Sequence, residues 1–111
     1  MFKVSSRPGT FSAAELDRYA EAAAQPGALT GMLNWYRAGL WAAPRRPPQR
    51  TITAPVRIVW GLDDVALGAE LLEPSAARCA RAEIVRLAGA GHWVQHEAAA
   101  EVNRQLLDFL A

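Results

Sequence analysis

Residues 56–64 have the sequence Val-Arg-Ile-Val-Trp-Gly-Leu-Asp-Asp, and residues 83–87 have the sequence Glu-Ile-Val-Arg-Leu. The first stretch is short, β-branched and nearly continuous in its apolar character, which is typical of a strand covered on both faces within a parallel sheet. The second stretch predicts another strand, and residues 74–80 between them can form a short helix. Residues 56–87 therefore predict a βαβ unit with two parallel strands.

Two helices are predicted upstream of this unit. Ser12 and Glu15 have the spacing of a capping box, so we expect a helix to begin at Ala13 and to end at Gln-Pro-Gly over residues 25–27. Apolar residues then recur at helical spacing over residues 29–41. This pattern predicts a second helix that ends before Pro44, and the two helices should form a pair.

A last helix is predicted downstream, after a loop with glycines at residues 89 and 91. It carries four apolar residues on one face, and we expect that face to pack on the sheet: Val102, Leu106, Phe109 and Leu110. Two strands with these helices would leave sheet edges and apolar faces uncovered. The sequence therefore predicts part of a larger fold, which self-associates or binds a partner chain through its exposed strand edge.

Length, charge and cysteine content narrow the class of protein. The 111 residues suffice for one modest core. A net charge of +1, without long runs of like charge, gives no indication of a nucleic-acid partner. The single Cys79 excludes an internal disulfide and favours the cytoplasm. Neither a signal-peptide pattern nor an apolar run of roughly 20 residues occurs, so we expect no membrane span.

Residues suited to catalysis follow both predicted strands. Asp63 and Asp64 come after the first strand, and His92 comes after the second. In open α/β sheets, ligands bind outside the carboxyl ends of the strands, where a carboxylate can orient a histidine that acts as a general base. The alternative interpretation is that the aspartates cap a turn and that His92 is an ordinary loop histidine. A metal site is not expected, because His92 and His96 match no zinc-binding motif.

Three segments resemble enzymes of the α/β-hydrolase fold, and within that superfamily they resemble epoxide hydrolases. Residues 60–67 (Trp-Gly-Leu-Asp-Asp-Val-Ala-Leu) are similar to the acid segment, and residues 91–97 (Gly-His-Trp-Val-Gln-His-Glu) to the histidine segment. Residues 31–38 (Gly-Met-Leu-Asn-Trp-Tyr-Arg-Ala) resemble the lid segment that supplies a ring-opening tyrosine. Acid before histidine is also the order of the superfamily's catalytic triad.

The resemblance implies an α/β fold, namely the carboxyl-terminal portion of an α/β-hydrolase with a helical lid remnant at its amino terminus. Residues 1–42 would be the lid remnant, residues 43–50 a proline-rich connector, and residues 51–111 the carboxyl-terminal part of the hydrolase core. The complete enzyme would open a small-molecule epoxide, or a related electrophile, to a diol through an ester intermediate. It would need no cofactor.

The resemblance also implies roles for individual residues. Asp64 would be the orienting acid, with Asp63 as the alternative, and His92 would be the base. Tyr36 would donate a hydrogen bond to the epoxide oxygen, although its place on an amphipathic stripe also fits packing. Trp35 and Trp93 would form walls of the substrate pocket or belong to the core.

The sequence departs from the family in its nucleophile. No Gly-x-Ser-x-Gly motif or comparable glycine-flanked aspartate occurs in the 111 residues. We therefore expect a fragment that is inactive by itself. Two alternatives stay open: a haloalkane or haloacid dehalogenase or an esterase of the same fold, and a non-catalytic, truncated interaction module.

Overall fold

The computed structural model describes residues 2–41 and 50–111. Within these ranges the chain forms two strands, several helices and one 3₁₀ turn at Ala69–Leu71. The strands are β1 (Val56–Gly61) and β2 (Ala82–Leu87). The helices are α1 (Phe2–Ser5), α2 (Ala13–Ala24), α3 (Ala28–Trp41), α4 (Leu72–Ala76), α5 (Val94–Glu97) and α6 (Ala99–Leu110).

The capping box at the start of α2 forms as the sequence predicts. The Ser12 hydroxyl accepts the Glu15 backbone N–H, and the Glu15 carboxylate accepts the Ser12 backbone N–H at 2.8 Å. Each side chain thus satisfies an amide that the first turn of a helix leaves unpaired. Helices α2 and α3 contact each other, which gives the predicted helical pair. The predicted connector lies outside the described residues except for Arg50.

The predicted pair of parallel strands is also present. Strand β1 pairs with β2 from Val56 opposite Ala82 to Gly61 opposite Leu87, without a break in register. The side chains of residues 56–60 are half-buried, so the predicted coverage of β1 on both faces is partial among the described residues. A sheet of two strands exposes an edge on each of them. The carboxyl ends of both strands lie at the same end of the sheet.

The helix between the strands begins and ends earlier than predicted. The sequence places it at residues 74–80, whereas the 3₁₀ turn leads directly into α4, which ends at Ala76. The Ile52 backbone N–H donates to the Arg78 carbonyl, and the Ala80 N–H donates to the Ile52 carbonyl, both at 2.8 Å. The helix stops because residues 78–80 pair with the backbone of Ile52 instead of continuing the helical ladder.

Packing of α6 on the sheet agrees with the prediction in part. Val102 and Phe109 are half-buried and α6 contacts β1, but Leu106 and Leu110 are exposed. The prediction that all four residues pack on the sheet is therefore wrong for these two leucines. A sheet of two strands is only about 5 Å wide between strand axes, so it covers only part of an apolar helix face.

Arg57 on β1 joins both strands to α6. Its guanidinium donates to the Glu83 carboxylate on β2 and, at 2.7 Å, to the Asp108 carboxylate on α6. It also lies 5.1 Å above the centre of the Phe109 ring. The hydrogen bonds to Asp108 and Glu83 raise the pKa of the Arg57 guanidinium above its usual value. These contacts fix the carboxyl-terminal turn of α6 against the strands.

The chain forms two compact units, Met1–Thr10 with Arg50–Ala111, and Phe11–Gln49. The predicted division places residues 1–10 with the lid helices, whereas in the structure the described part of this segment contacts the unit that contains the sheet. Leu72 and Ala90 are the buried apolar residues of the described chain. Within residues 2–41 and 50–111, no helix combines the length and apolar content that crossing a membrane requires.

Candidate active site

Asp64 and His92 lie at the carboxyl ends of the two neighbouring strands. Asp64 is in the turn after β1, and His92 is in the loop between β2 and α5. The His92 Nδ1 atom is 3.0 Å from Oδ2 and 3.2 Å from Oδ1 of Asp64. The Asp64 side chain is 9% exposed and that of His92 is 25% exposed. The carboxylate that faces His92 is thus that of Asp64, while the neighbouring Asp63 is exposed.

Gly61 allows the two loops to approach each other this closely. A Cβ atom at this position would overlap the carbonyl oxygens of Ala90 and Gly91. The Leu62 backbone N–H donates to the Leu87 carbonyl at 3.0 Å, and the Asp63 N–H donates to the Ala90 carbonyl at 2.9 Å. Because Gly61 has no side chain, the aspartate turn and the histidine loop can approach closely enough to form these hydrogen bonds.

Hydrogen bonds keep the Asp64 carboxyl ionised. Partial burial acts to raise its pKa, but hydrogen bonds from the Leu67 backbone, the His92 ring and the Ala66 backbone lower it below its usual value. The Ala66 and Leu67 N–H groups both donate to Oδ1, at 2.8 and 3.0 Å. Oδ2 is the oxygen nearer to the His92 ring, and Oδ1 is also within hydrogen-bonding distance of Nδ1. Oδ1 is therefore shared between the backbone and the ring, whereas Oδ2 faces the ring at the shorter distance.

This arrangement determines which ring nitrogen of His92 has a lone pair that can accept a proton. An ionised carboxylate accepts hydrogen bonds only, so the Nδ1 atom that faces it carries the proton. The lone pair of the neutral ring is then on Nε2. A proton taken up at Nε2 makes an imidazolium, which the Asp64 carboxylate stabilises. The pair can therefore act as a general base toward water.

Trp93 is half-buried beside the histidine, among residues of the amino-terminal segment. Its ring meets the His92 ring edge-on, with 5.5 Å between the ring centroids. The centroid of the Phe2 ring lies 4.8 Å from that of Trp93. The Trp93 Nε1–H donates to the Ser5 hydroxyl at 2.9 Å. These contacts attach residues 2–5 to the histidine loop. The short helix α1 and this attachment were not predicted, because the four residues of α1 carry no periodic signal.

Glu97 is a second residue of this region to which the sequence assigns no role. Its carboxylate accepts the Gly91 backbone N–H on one oxygen and the Arg7 backbone N–H, at 3.1 Å, on the other. Gly91 directly precedes His92 in the chain. In the sequence, Glu97 is distinguished only by its place five positions after His92. This spacing does not show that its carboxylate accepts hydrogen bonds from Gly91 and Arg7.

Tyr36 and Trp35 belong to α3, in the other compact unit. Tyr36 is 63% exposed and Trp35 is 81% exposed, so neither is part of a core formed by the described residues. Exposure at both positions counts against the packing interpretation of the stripe on which Tyr36 lies. Their roles in the reaction stay predictions.

Comparisons with known proteins agree with this fold. Residues 2–105 match the alpha/beta hydrolase family. The AB hydrolase superfamily protein YfhM of Bacillus subtilis is 38% identical over 107 residues, which cover 96% of this chain and 37% of that protein. Epoxide hydrolase 2 of Caenorhabditis elegans is 38% identical over 87 residues, which cover 78% of this chain and 24% of that protein.

A solved structure from work on novel epoxide hydrolases of hot-environment metagenomes has a TM-score of 0.78 at 35% identity, covering 95% of this chain and 39% of that chain. The chain therefore belongs to the alpha/beta hydrolase family, and it is epoxide hydrolase-like within it. It spans between 24% and 39% of the length of these relatives.

Proposed function

We propose that this chain carries the acid and base of an epoxide hydrolase-like active site, with Asp64 as the orienting acid and His92 as the base. The observation that supports the proposal most directly is the distance of 3.0 Å between His92 Nδ1 and Asp64 Oδ2. The similarity to epoxide hydrolases supports the choice of reaction within the family. The substrate is then a small molecule that contains an epoxide.

The reaction has two stages. A carboxylate nucleophile attacks an epoxide carbon, the carbon–oxygen bond of the ring breaks, and the released alkoxide takes up a proton from solvent. His92 Nε2 then removes a proton from water, and the hydroxide adds to the carbonyl carbon of the resulting ester. When the tetrahedral intermediate collapses, the diol oxygen leaves with the proton from the imidazolium. Asp64 stabilises the positive charge on His92 between these two proton transfers. The carboxyl group of the nucleophile returns one proton to solvent after the ester has been hydrolysed.

Tyr36 is proposed to donate its phenol proton in a hydrogen bond to the epoxide oxygen as the ring opens. A donor aimed at a developing alkoxide stabilises the transition state more than the neutral epoxide. Its exposure leaves the hydroxyl accessible to a ligand. Trp35 and Trp93 are proposed as apolar walls of the pocket.

The nucleophile is proposed to come from a segment outside these 111 residues. We expect the isolated chain to be inactive, because its acid and base have no ester to hydrolyse. We place the active protein in the cytoplasm, where the lone Cys79 stays reduced. An interaction module without catalysis is the second candidate, favoured by the exposed leucines of α6.

A chimera tests the proposal. Residues 2–111 replace the segment they match in the metagenomic epoxide hydrolase, which supplies the nucleophile, and hydrolysis of styrene oxide is measured. Asp64→Asn and His92→Gln should each lower turnover by about 10²- to 10⁴-fold, whereas Asp63→Asn should not. Tyr36→Phe should slow ring opening, whereas Tyr19→Phe should not.

The outcomes separate the candidate functions. Turnover that survives His92→Gln would refute the acid–base assignment. Loss of activity in the Asp64 and His92 variants without an effect of Tyr36→Phe would contradict the role proposed for Tyr36. A folded chimera that does not hydrolyse styrene oxide would contradict the epoxide assignment. The dehalogenase and esterase alternatives would then be tested with a haloalkane and a nitrophenyl ester, and inactivity on all three substrates would favour the interaction module.

A further inference from the structure

Glu97 receives backbone N–H groups from two segments that are far apart in the sequence. Oε2 accepts from Gly91, the residue before His92, and Oε1 accepts from Arg7. We infer that Glu97 is a positioning residue for His92, which holds the histidine loop in the conformation that contacts Asp64. This inference rests on the proposed function, since it concerns the orientation of the base.

The environment of Gly91 explains how the Glu97 carboxylate can orient the His92 ring through the backbone. Gly91 is buried, and a Cβ atom at this position would lie 3.2 Å from the Asp63 carbonyl oxygen and 3.3 Å from Glu97 Oε2. The backbone that leads into His92 therefore fits between the aspartate turn and the Glu97 carboxylate. A shift of Gly91 toward the space left by a shorter side chain would move His92 away from Asp64.

The second hydrogen bond fixes Glu97 itself. The Arg7 N–H donates to Oε1, and the Arg7 side chain donates to the Gly89 carbonyl in the same loop. The Ser5 hydroxyl accepts from Trp93, the residue after His92. The segment of residues 5–7 thus contacts the loop on both sides of the histidine, and Glu97 is the side chain that joins the two through backbone groups.

The chemistry of both partners requires a carboxylate. Gly91 and Arg7 each present an N–H donor, and a carboxylate offers two acceptor oxygens and no donor. A glutamine has one acceptor oxygen, and its NH₂ group would face the second N–H. Glu97→Gln should therefore retain one of the two bonds, whereas Glu97→Ala loses both. A graded response is expected from this pair of variants.

The experiment uses the full chain with ¹⁵N-labelled histidine, and NMR measures the fraction of neutral His92 that is protonated at Nδ1. The variants are Glu97→Ala, Glu97→Gln, Asp64→Asn and, as a matched control, Glu101→Ala. Glu101 is an α6 carboxylate paired with Arg104 and Gln105. We expect Glu97→Ala to lose most of the Nδ1–H form, Glu97→Gln to lose less, and Glu101→Ala to match the wild type.

Thermal unfolding of the same variants separates positioning from general stability. If Glu97 has only a structural role, Glu97→Ala should lower the melting temperature and leave the His92 tautomer of the folded protein unchanged. That result would overturn the inference. If Glu97→Ala does not fold, Glu97→Gln decides by the same measurement. Should Asp64→Asn also leave the tautomer unchanged, the acid–base pair of the proposed function fails. A change in Asp64→Asn alone refutes only the role of Glu97.

Discussion

Replacing Asp64 by asparagine should reverse the tautomer of His92. In the wild type, Oδ1 of Asp64 accepts two backbone N–H groups, and Oδ2 faces His92 Nδ1. Asparagine has one oxygen, and the two backbone donors require it at the position of Oδ1. Its NH₂ group then takes the position of Oδ2 and donates to Nδ1, so the ring proton moves to Nε2.

The size of the effect follows from the bond that is lost. A hydrogen bond to a charged group contributes about 1.5–3 kcal/mol. Because 1.36 kcal/mol corresponds to a factor of ten, losing it changes the ratio of the two tautomers by roughly 10- to 150-fold. The new bond from the asparagine NH₂ group to Nδ1 adds to the change. The Nε2–H form should therefore predominate, and Nε2 then has no lone pair with which to remove a proton from water.

Two measurements test this reasoning. The ¹⁵N shifts of the His92 ring, at a pH where the ring is neutral, should show Nδ1–H in the wild type and Nε2–H in Asp64→Asn. In the chimera, the ester intermediate should accumulate in Asp64→Asn, because the second stage loses its base while the first stage does not use it. Asp63→Asn is the control for both. A variant Asp64→Asn that retains the Nδ1–H tautomer would refute the assignment of the two carboxylate oxygens.

Further predictions concern stability and association. Gly61→Ala should lower the free energy of unfolding by about 1–3 kcal/mol, because the new Cβ overlaps backbone carbonyls. Gly31 lies in open space on α3, so Gly31→Ala should raise the free energy of unfolding by about 0.5–1 kcal/mol. Urea titrations measure both. The lowered pKa of Asp64 stabilises the fold above the ordinary carboxyl value of 3.8, and this contribution is lost as the pH falls through the lowered value. Asp64→Asn should thus make stability less dependent on pH in that range. Leu107 and Leu110 are 74% and 77% exposed on α6; we expect self-association that Leu107→Glu with Leu110→Glu weakens in sedimentation velocity, and a monomeric wild type would contradict this.

Local patterns in the sequence were enough to predict several elements. The capping box begins α2 at Ala13, and the apolar runs predict β1 and β2 to within one residue. These signals depend on side chains that are near each other in the sequence, where spacing alone determines which groups meet. The motifs around Asp64 and His92 also indicate the family.

The predictions that were wrong concern elements whose ends or exposure depend on contacts between segments far apart in the sequence. The end of α4 depends on Ile52, and the exposure of Leu106 and Leu110 depends on the width of the sheet. Neither is visible in the helical spacing of the residues concerned. Periodicity predicts that a helix has an apolar face, but the neighbouring elements decide how much of that face is covered.

The sequence by itself determined the order of the two strands and the longer helices, the candidate residues for acid and base chemistry, and the resemblance to epoxide hydrolases. Only the tertiary structure decided that Asp64 is the carboxylate that faces His92, that Gly61 allows the loops to touch, and that Glu97 joins residues 7 and 91. The physical reason is that hydrogen bonds and steric overlap act over a few ångströms. Whether residues 61 and 64 reach the histidine loop depends on the parallel pairing of β1 and β2.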